Sequence, residues 1–231
     1  MAFEYIFTAL PSLPREPGDK VELAASELAA MCGGEDEGVA ALARCILMEF
    51  DIRAIERMRA GGTPGETALF SDGELREGGR VPTWLVGSLA ESGELAAGEY
   101  DFDRVWRAYF SELMRTAESC GSVFLARWVA FDAGLRFAIA AHRAAELKRQ
   151  APACERGELC YGSNYSYRRV IDELIAWEER GEASWRDRDR LVAQTRLAMV
   201  RDMSCDYAFD LNELLAYIVR FTVLKQSMYL S

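Results

Sequence analysis

The chain has 231 residues, of which 50% are hydrophobic and 28% charged, and its formal net charge is −10. That much apolar side chain excludes global disorder, and that acidity argues against a general nucleic-acid binder. Alanine, leucine, arginine and glutamate dominate and β-branched residues are sparse, a mixture that favours helix.

The charge is divided unevenly. Positions 1–103 hold 8 basic and 20 acidic residues, net −12, whereas positions 104–231 hold 19 and 17, net +2. Two distinct partner surfaces would produce such asymmetry, as would more exposed loop in the acidic half. The length suits one all-helical domain over 1–231, with a division into an acidic lobe (about 1–103) and a long-helix lobe (about 104–231) left open.

In chain order, the apolar run 5–10 is too short for its periodicity to separate strand from helical turn, and Pro11 and Pro14 stop either one. The apolar start carries Glu4 and lacks a basic region, so it does not read as a secretory leader. Asp19 is a cap candidate for a helix over 20–32 that turns Val21, Leu28 and Met31 inward and ends at Gly33-Gly34. A second helix is predicted over 37–60, with Leu42, Ile46, Leu47, Phe50, Ile55 and Met58 as its buried stripe. The glycine-rich, acidic stretch 61–79 predicts a mobile loop. Its GGTPGET segment lacks the spacing and the lysine of a phosphate-binding P-loop.

A short helix over 82–89, an acidic loop over 91–98 and a helix over 102–118 follow, the last with Val105, Trp106, Tyr109, Phe110 and Leu113 on one face. The stretch 122–149 then organises the chain. Phe124, Trp128, Phe131, Leu135, Ala138 and His142 recur at steps of three or four, with Ser122 as cap. Its ~28 residues make a rod of roughly 40 Å. After a loop at 151–163, helices are predicted over 165–180, from Ser184 (with Asp187 completing the cap) through the alternating run Arg186–Arg190, and from Asp210 with Glu213 in capping-box spacing and a Phe209–Leu214 staple. The apolar segment 209–230 is interrupted by Asn212, Glu213, Arg220, Lys225 and Gln226, so no membrane span is expected. The expectation is an all-α bundle of seven or eight helices around the long helix at about 122–149.

Chemistry is sparse. Cysteines at 32, 45, 120, 154, 160 and 205 form no C-x-x-C pair, and His142 is the sole histidine, so neither a zinc site nor a redox motif is expected. Cys154 and Cys160 flank a loop, but reduced thiols are the expected state. His142 would have to serve any Ser-His-Asp or Cys-His arrangement, and it reads rather as a partly buried core residue. Asp132 and Arg136 stand one turn apart and read as an intrahelical ion pair, with a buried polar pair beside Trp128 and Leu135 as the alternative. Glu173, Glu178 and Glu179 read as solvent-facing acids, and the absence of Glu-x-x-His excludes a di-iron bundle. No catalytic, cofactor or metal site is expected.

Three stretches carry a family resemblance: YIFTALPSLP near the start, FLARWVAFDAGLRFAI in the central helix, and FDLNELLAYIVRFTVLKQ near the end. In this order they resemble bacterial relatives of the V-type ATPase stalk-coupling component, known as the C-type or d-type component in different lineages. The resemblance implies a helical bundle like that of the C-type component, serving as a non-catalytic subunit of a V-type ATPase or ATP synthase. It would couple the central stalk to the membrane rotor ring from the cytoplasmic face. The partners implied are central-stalk subunits and the rotor ring, with no cofactor and no nucleic acid. The acids at 91, 94, 99, 101 and 103 are candidates to face a basic stalk end. The alternative is a helical scaffold or adaptor that binds a single protein partner.

Overall fold

The computed structural model describes residues 4–34, 36–77, 81–93, 102–146, 172–173, 176, 184–204 and 209–230. Among them are nine α-helices and no strand: α1 (Glu4–Ala9), α2 (Ala25–Cys32), α3 (Glu37–Arg59), α4 (Asp72–Glu77), α5 (Thr83–Gly93), α6 (Phe102–Ser119), α7 (Val123–Glu146), α8 (Trp185–Met203) and α9 (Leu211–Gln226), with a 3-10 turn at Met228–Leu230. The all-α expectation holds. The run at 5–10, which periodicity could not assign, is helical, and α4 is a short helix inside the stretch expected to be loop. Of the helix predicted over 165–180 only residues 172, 173 and 176 are described, and these are helical; the loop at 151–163 and cysteines 154, 160 and 205 lie outside the described residues.

Local chemistry accounts for most helix starts. The Asp36 carboxylate accepts the Val39 amide at 3.0 Å and caps α3. Ser122 Oγ accepts the Leu125 amide at 3.2 Å and caps α7. Ser184 and Asp187 form a reciprocal box on α8, with Asp187 N donating to Ser184 Oγ at 3.3 Å and Ser184 N donating to Asp187 Oδ2 at 3.1 Å. At α9 the box is shifted by one residue. Asp210 accepts the Glu213 amide at 2.9 Å, but Glu213 reaches back to the Phe209 amide at 2.6 Å, and Phe209 sits at φ 49° with its ring edge-on to Phe7. The α4 start is a further box, with Ser71 N and Oγ each donating to Glu74 Oε2 at 2.9 Å.

α2 starts five residues later than Asp19 predicts, with Ala24 as N-cap: Glu27 accepts the Ala24 amide at 2.8 Å, and a second carboxylate comes from far away. Glu66 Oε1 accepts the Ala25 amide at 2.7 Å across 41 residues. That contact belongs to a set that pins the stretch expected to be mobile. Glu66 also lies 3.6 Å from Lys225, which donates to the Val21 carbonyl at 2.9 Å. Asp51, fully buried on α3, accepts the Ala68, Leu69 and Phe70 amides at 3.1–3.4 Å. Glycine composition alone does not confer mobility when a buried carboxylate collects the loop's backbone donors and a carboxylate on the loop is itself tied to α2 and Lys225.

Packing is continuous. α3 lies against α2, α6 and α9; α6 against α5, α3 and α7; α7 against α6, α8 and α9. Leu42, Leu47, Ile52, Phe110, Leu125 and Phe221 belong to one hydrophobic cluster, which draws on α3, α6, α7 and α9. The large apolar residues of α7 from Phe124 to Leu135 are buried, with Arg127 exposed on the opposite face, whereas residues 136–142 are half-buried. α3 is enclosed on more sides, and its buried set includes Glu49 and Asp51 among apolar neighbours.

Candidate functional site

The arrangement with most chemical content is a buried ion cluster where α3, α7 and α8 meet. α3 places Glu49 inward within the run Ile46–Ile52, and α8 places Arg196 on the same stripe as the buried Ala193 and Val200. α7 adds Asp132 one turn beyond Trp128. Arg196 Nε lies 2.7 Å from Asp132 Oδ1, and Nη2 donates to Asp132 Oδ2 at 2.9 Å. The Nε proton points off the hydrogen-bond line, so that contact is ionic and the Nη2 contact is the hydrogen bond. The same Nη2 donates to Glu49 Oε2 at 3.2 Å and Oε1 at 3.4 Å. Glu49 has a second cation: Arg53, one turn on, donates to Oε1 from Nη2 at 2.9 Å and from Nε at 3.2 Å. Two carboxylates and two guanidiniums balance.

Aromatic rings line the charges. Arg196 lies over Trp128 with its guanidinium carbon 5.5 Å from the ring centre. Arg53 lies 5.4 Å and Arg136 3.7 Å from the Trp106 ring centre. The Tyr109 hydroxyl donates to the Ile46 carbonyl at 3.3 Å and holds α6 to α3 beside the cluster.

The electrostatics follow from burial and partner count. Burial opposes ionisation of Glu49, but Arg196 and Arg53 outweigh it and hold its carboxyl at about 2. Asp132 is raised above the usual aspartate value, by burial first, with Arg196 opposing and Glu49 reinforcing. Arg136 is lowered to about 10, by burial and then by Arg53. Tyr109 is pushed well up by burial and by the two carboxylates. Asp51, outside the cluster, is raised to about 6 by burial, against the amides it accepts.

Of the residues singled out in the sequence, Asp132 alone enters the cluster. It pairs with Arg196 on another helix, not with Arg136 as an intrahelical pair. Arg136 instead stacks on Trp106, and its Nε is buried without a hydrogen-bond partner among the described residues. The alternative, a buried polar Asp132–Arg136 pair beside Trp128 and Leu135, has the burial of Asp132 right but the partner wrong. His142 is half-buried in the second half of α7, away from the enclosed turns of that helix. Glu173 and Asp103 are half-buried; positions 94, 99, 101, 178 and 179 lie outside the described residues. Cys32 is buried, Cys45 half-buried and Cys120 exposed. Glu49 and Arg196 were not anticipated. Their signal was a charged residue at a core-facing position: Glu49 inside ILMEFDI, and Arg196 three residues after Ala193 and four before Val200.

Among the described residues, no group of three or more His, Cys, Asp or Glu side chains could hold a metal ion. Among them also, no helix is long and apolar enough to cross a membrane. Compared with models of protein families, with curated proteins and with solved structures, the chain finds no match.

Proposed function

We propose that this chain is a non-catalytic subunit of a V-type ATPase or ATP synthase, coupling the central stalk to the membrane rotor ring from the cytoplasmic side. The observation that carries the reading is how the three stretches of family resemblance pack. The first and last meet directly: Tyr217 on α9 donates to the Pro11 carbonyl at 2.7 Å, and Phe7 on α1 meets Phe209. The central stretch forms the enclosed half of α7, which packs on α9 and carries Asp132 into the ion cluster. The resemblance thus falls on one interlocked body and not on separate surface segments. A body of this kind suits torque transfer, because close-packed helices cross-tied by buried charges resist shear. In this reading the acidic half of the chain faces basic partner surfaces.

The test is co-assembly. The full chain is mixed with purified central-stalk subunits and detergent-solubilised rotor ring of a V-type ATPase, and the mixture is resolved by size exclusion. Co-elution in fixed stoichiometry, and ATP-driven ion uptake by reconstituted vesicles that requires the chain, support the proposal. Failure to associate with stalk, ring or complete ATPase overturns it. A helical adaptor that binds a single protein partner is the second reading, favoured by the exposure of two large apolar rings, Tyr5 (82%) on α1 and Phe209 (52%) just before α9.

A further inference from the structure

Trp106 on α6, buried to 1% exposure, is where arginines from two other helices meet. Arg136 of α7 lies over the ring with its guanidinium carbon 3.7 Å from the centre, and Arg53 of α3 lies at 5.4 Å. Each is attracted to the electron-rich ring face. They repel one another, and Arg53 is the charge that acts most strongly on Arg136. We propose that Arg136, with Trp106 behind it and Arg53 beside it, is a binding site for a carboxylate, held in the fork of the Arg136 guanidinium.

The partners of the neighbouring cations are already assigned. Arg53 donates from Nε and Nη2 to Glu49, and Arg196 donates to Asp132 and Glu49. Arg136 makes no hydrogen bond and no ion pair among the described residues. With it included, three guanidiniums stand against Glu49 and Asp132, and one positive charge is left over. Glu56, three residues after Arg53, and Asp103 at the start of α6 attract Arg136 through space, but neither lies within ion-pair distance of it. Burial and the Arg53 charge bring Arg136 down to about 10, as befits a cation short of a counter-charge. It stays charged at neutral pH.

The free end of the guanidinium dictates the ligand. Nε of Arg136 is enclosed, whereas its Nη end reaches solvent, on a part of α7 that is half-buried. Arg53 has 31% of its side chain exposed, and its bonds to Glu49 leave Nη1 available. A ligand arriving here meets donors and positive charge, so it must bring acceptors and negative charge. The planar fork matches the two oxygens of a carboxylate. The surplus is a single charge, and Glu56 and Asp103 stand close enough to repel a second negative one, so a monoanion fits better than a dianion. A water molecule would satisfy a donor and leave the charge unmatched. Because Trp106 already holds the guanidinium, little side-chain freedom is lost on binding.

NMR titration of the full ¹⁵N-labelled chain at pH 6.0 and constant ionic strength tests this, read on arginine Nε–H resonances assigned through side-chain correlations. Sodium acetate is expected to move the Arg136 resonance along a saturating curve, with a half-point about fivefold below that of sodium chloride. The exposed Arg201 should respond alike to both salts. A blocked peptide with glutamate as its one carboxylate separates the sources: binding tighter than acetate assigns the site to an acidic side chain of a partner, and equal or weaker binding to a free small carboxylate. Arg136→Met should abolish the acetate response of the Trp106 indole N–H, and Arg136→Lys, which lacks the fork, should weaken it about threefold. Glu56→Gln removes a competing charge and should tighten binding. No saturation in the wild-type chain, tighter binding of sulfate than of acetate, or a response confined to Glu56→Gln overturns the site; the last would make Glu56 the counter-ion. Should Arg136→Met fail to fold, the wild-type and Glu56→Gln titrations decide. No ATPase subunit takes part, so the outcome is independent of the coupling role proposed above.

Discussion

Arg196 on α8 lies 2.7 Å from Asp132 on α7, although 64 residues separate them, and the same guanidinium reaches Glu49 on α3 across 147 residues. One side chain thus ties three helices at a point where none of the three groups has more than 12% of its side chain exposed.

Truncating that tie should be severe. Arg196→Met leaves Asp132 buried without a cation and is expected to cost about 3–5 kcal/mol. Arg196→Lys keeps the charge but cannot present a planar fork to two carboxylates, so a smaller loss is expected. Replacing all three members together, as Glu49→Met, Asp132→Leu and Arg196→Met, should recover most of the stability, because no charge then remains to be desolvated. Urea unfolding of the three variants checks the order; a triple variant less stable than Arg196→Met contradicts it.

Two buried carboxylates should give opposite pH dependences. The folded-state value of Glu49 is lowered from 4.5 to about 2. Its contribution, on the order of 3 kcal/mol, is present above pH ~4.5 and is lost as the pH falls toward 2. That of Asp51 is raised from 3.8 to about 6. Its contribution, also on the order of 3 kcal/mol, is present below pH ~3.8 and is lost as the pH rises through 6. Asp51→Asn keeps an acceptor for the 68–70 amides and removes the buried charge. It should flatten the stability profile between pH 4 and 6 and leave the acid limb below pH 4 in place. Denaturant midpoints across pH 2–8 for both proteins read this directly.

Glu66 should matter to α2 rather than to its own loop alone. Its carboxylate caps the Ala25 amide at 2.7 Å and lies 3.6 Å from Lys225. Glu66→Ala removes a charge-assisted cap and is expected to cost about 1–2 kcal/mol. The Ala25 and neighbouring α2 amides should exchange faster than those of α3, and limited proteolysis should open the chain between 61 and 71. Unchanged exchange in α2 would contradict the cap.

Ser122 is a local cap with a local cost. Ser122→Ala removes the acceptor of the Leu125 amide, with an expected loss of about 1 kcal/mol in thermal or urea unfolding. The variant should leave the stability difference between wild type and Arg196→Met unchanged, since the cap shares no partner with the cluster.

Much of the fold was legible. The apolar spacing predicted α3 to within one residue at its end, and the caps at Ser122, Ser184 and Asp210 mark real helix starts. These signals act within a turn or two of helix. Ser71-Asp72-Gly73-Glu74 carried the same signal and opens α4, but the glycine and acid content around it masked it. The mobile-loop expectation for 61–79 failed for a different reason: composition describes the loop, whereas Asp51 and Lys225, the groups that bind it, lie on other elements.

What the sequence by itself determined was the class: helices of these lengths, with these caps, each with a face that must be covered. Asp132 was visible as a charge beside an apolar stripe, but its nearest cation in sequence, Arg136, was the wrong partner. Only the tertiary structure decided that Arg136 stacks on Trp106 and that Arg196 meets Asp132. The physical reason is range. Hydrogen-bonded caps and helical periodicity are satisfied by neighbours in the chain, whereas a buried charge is satisfied by whichever opposite charge the packing of whole helices brings within about 3 Å.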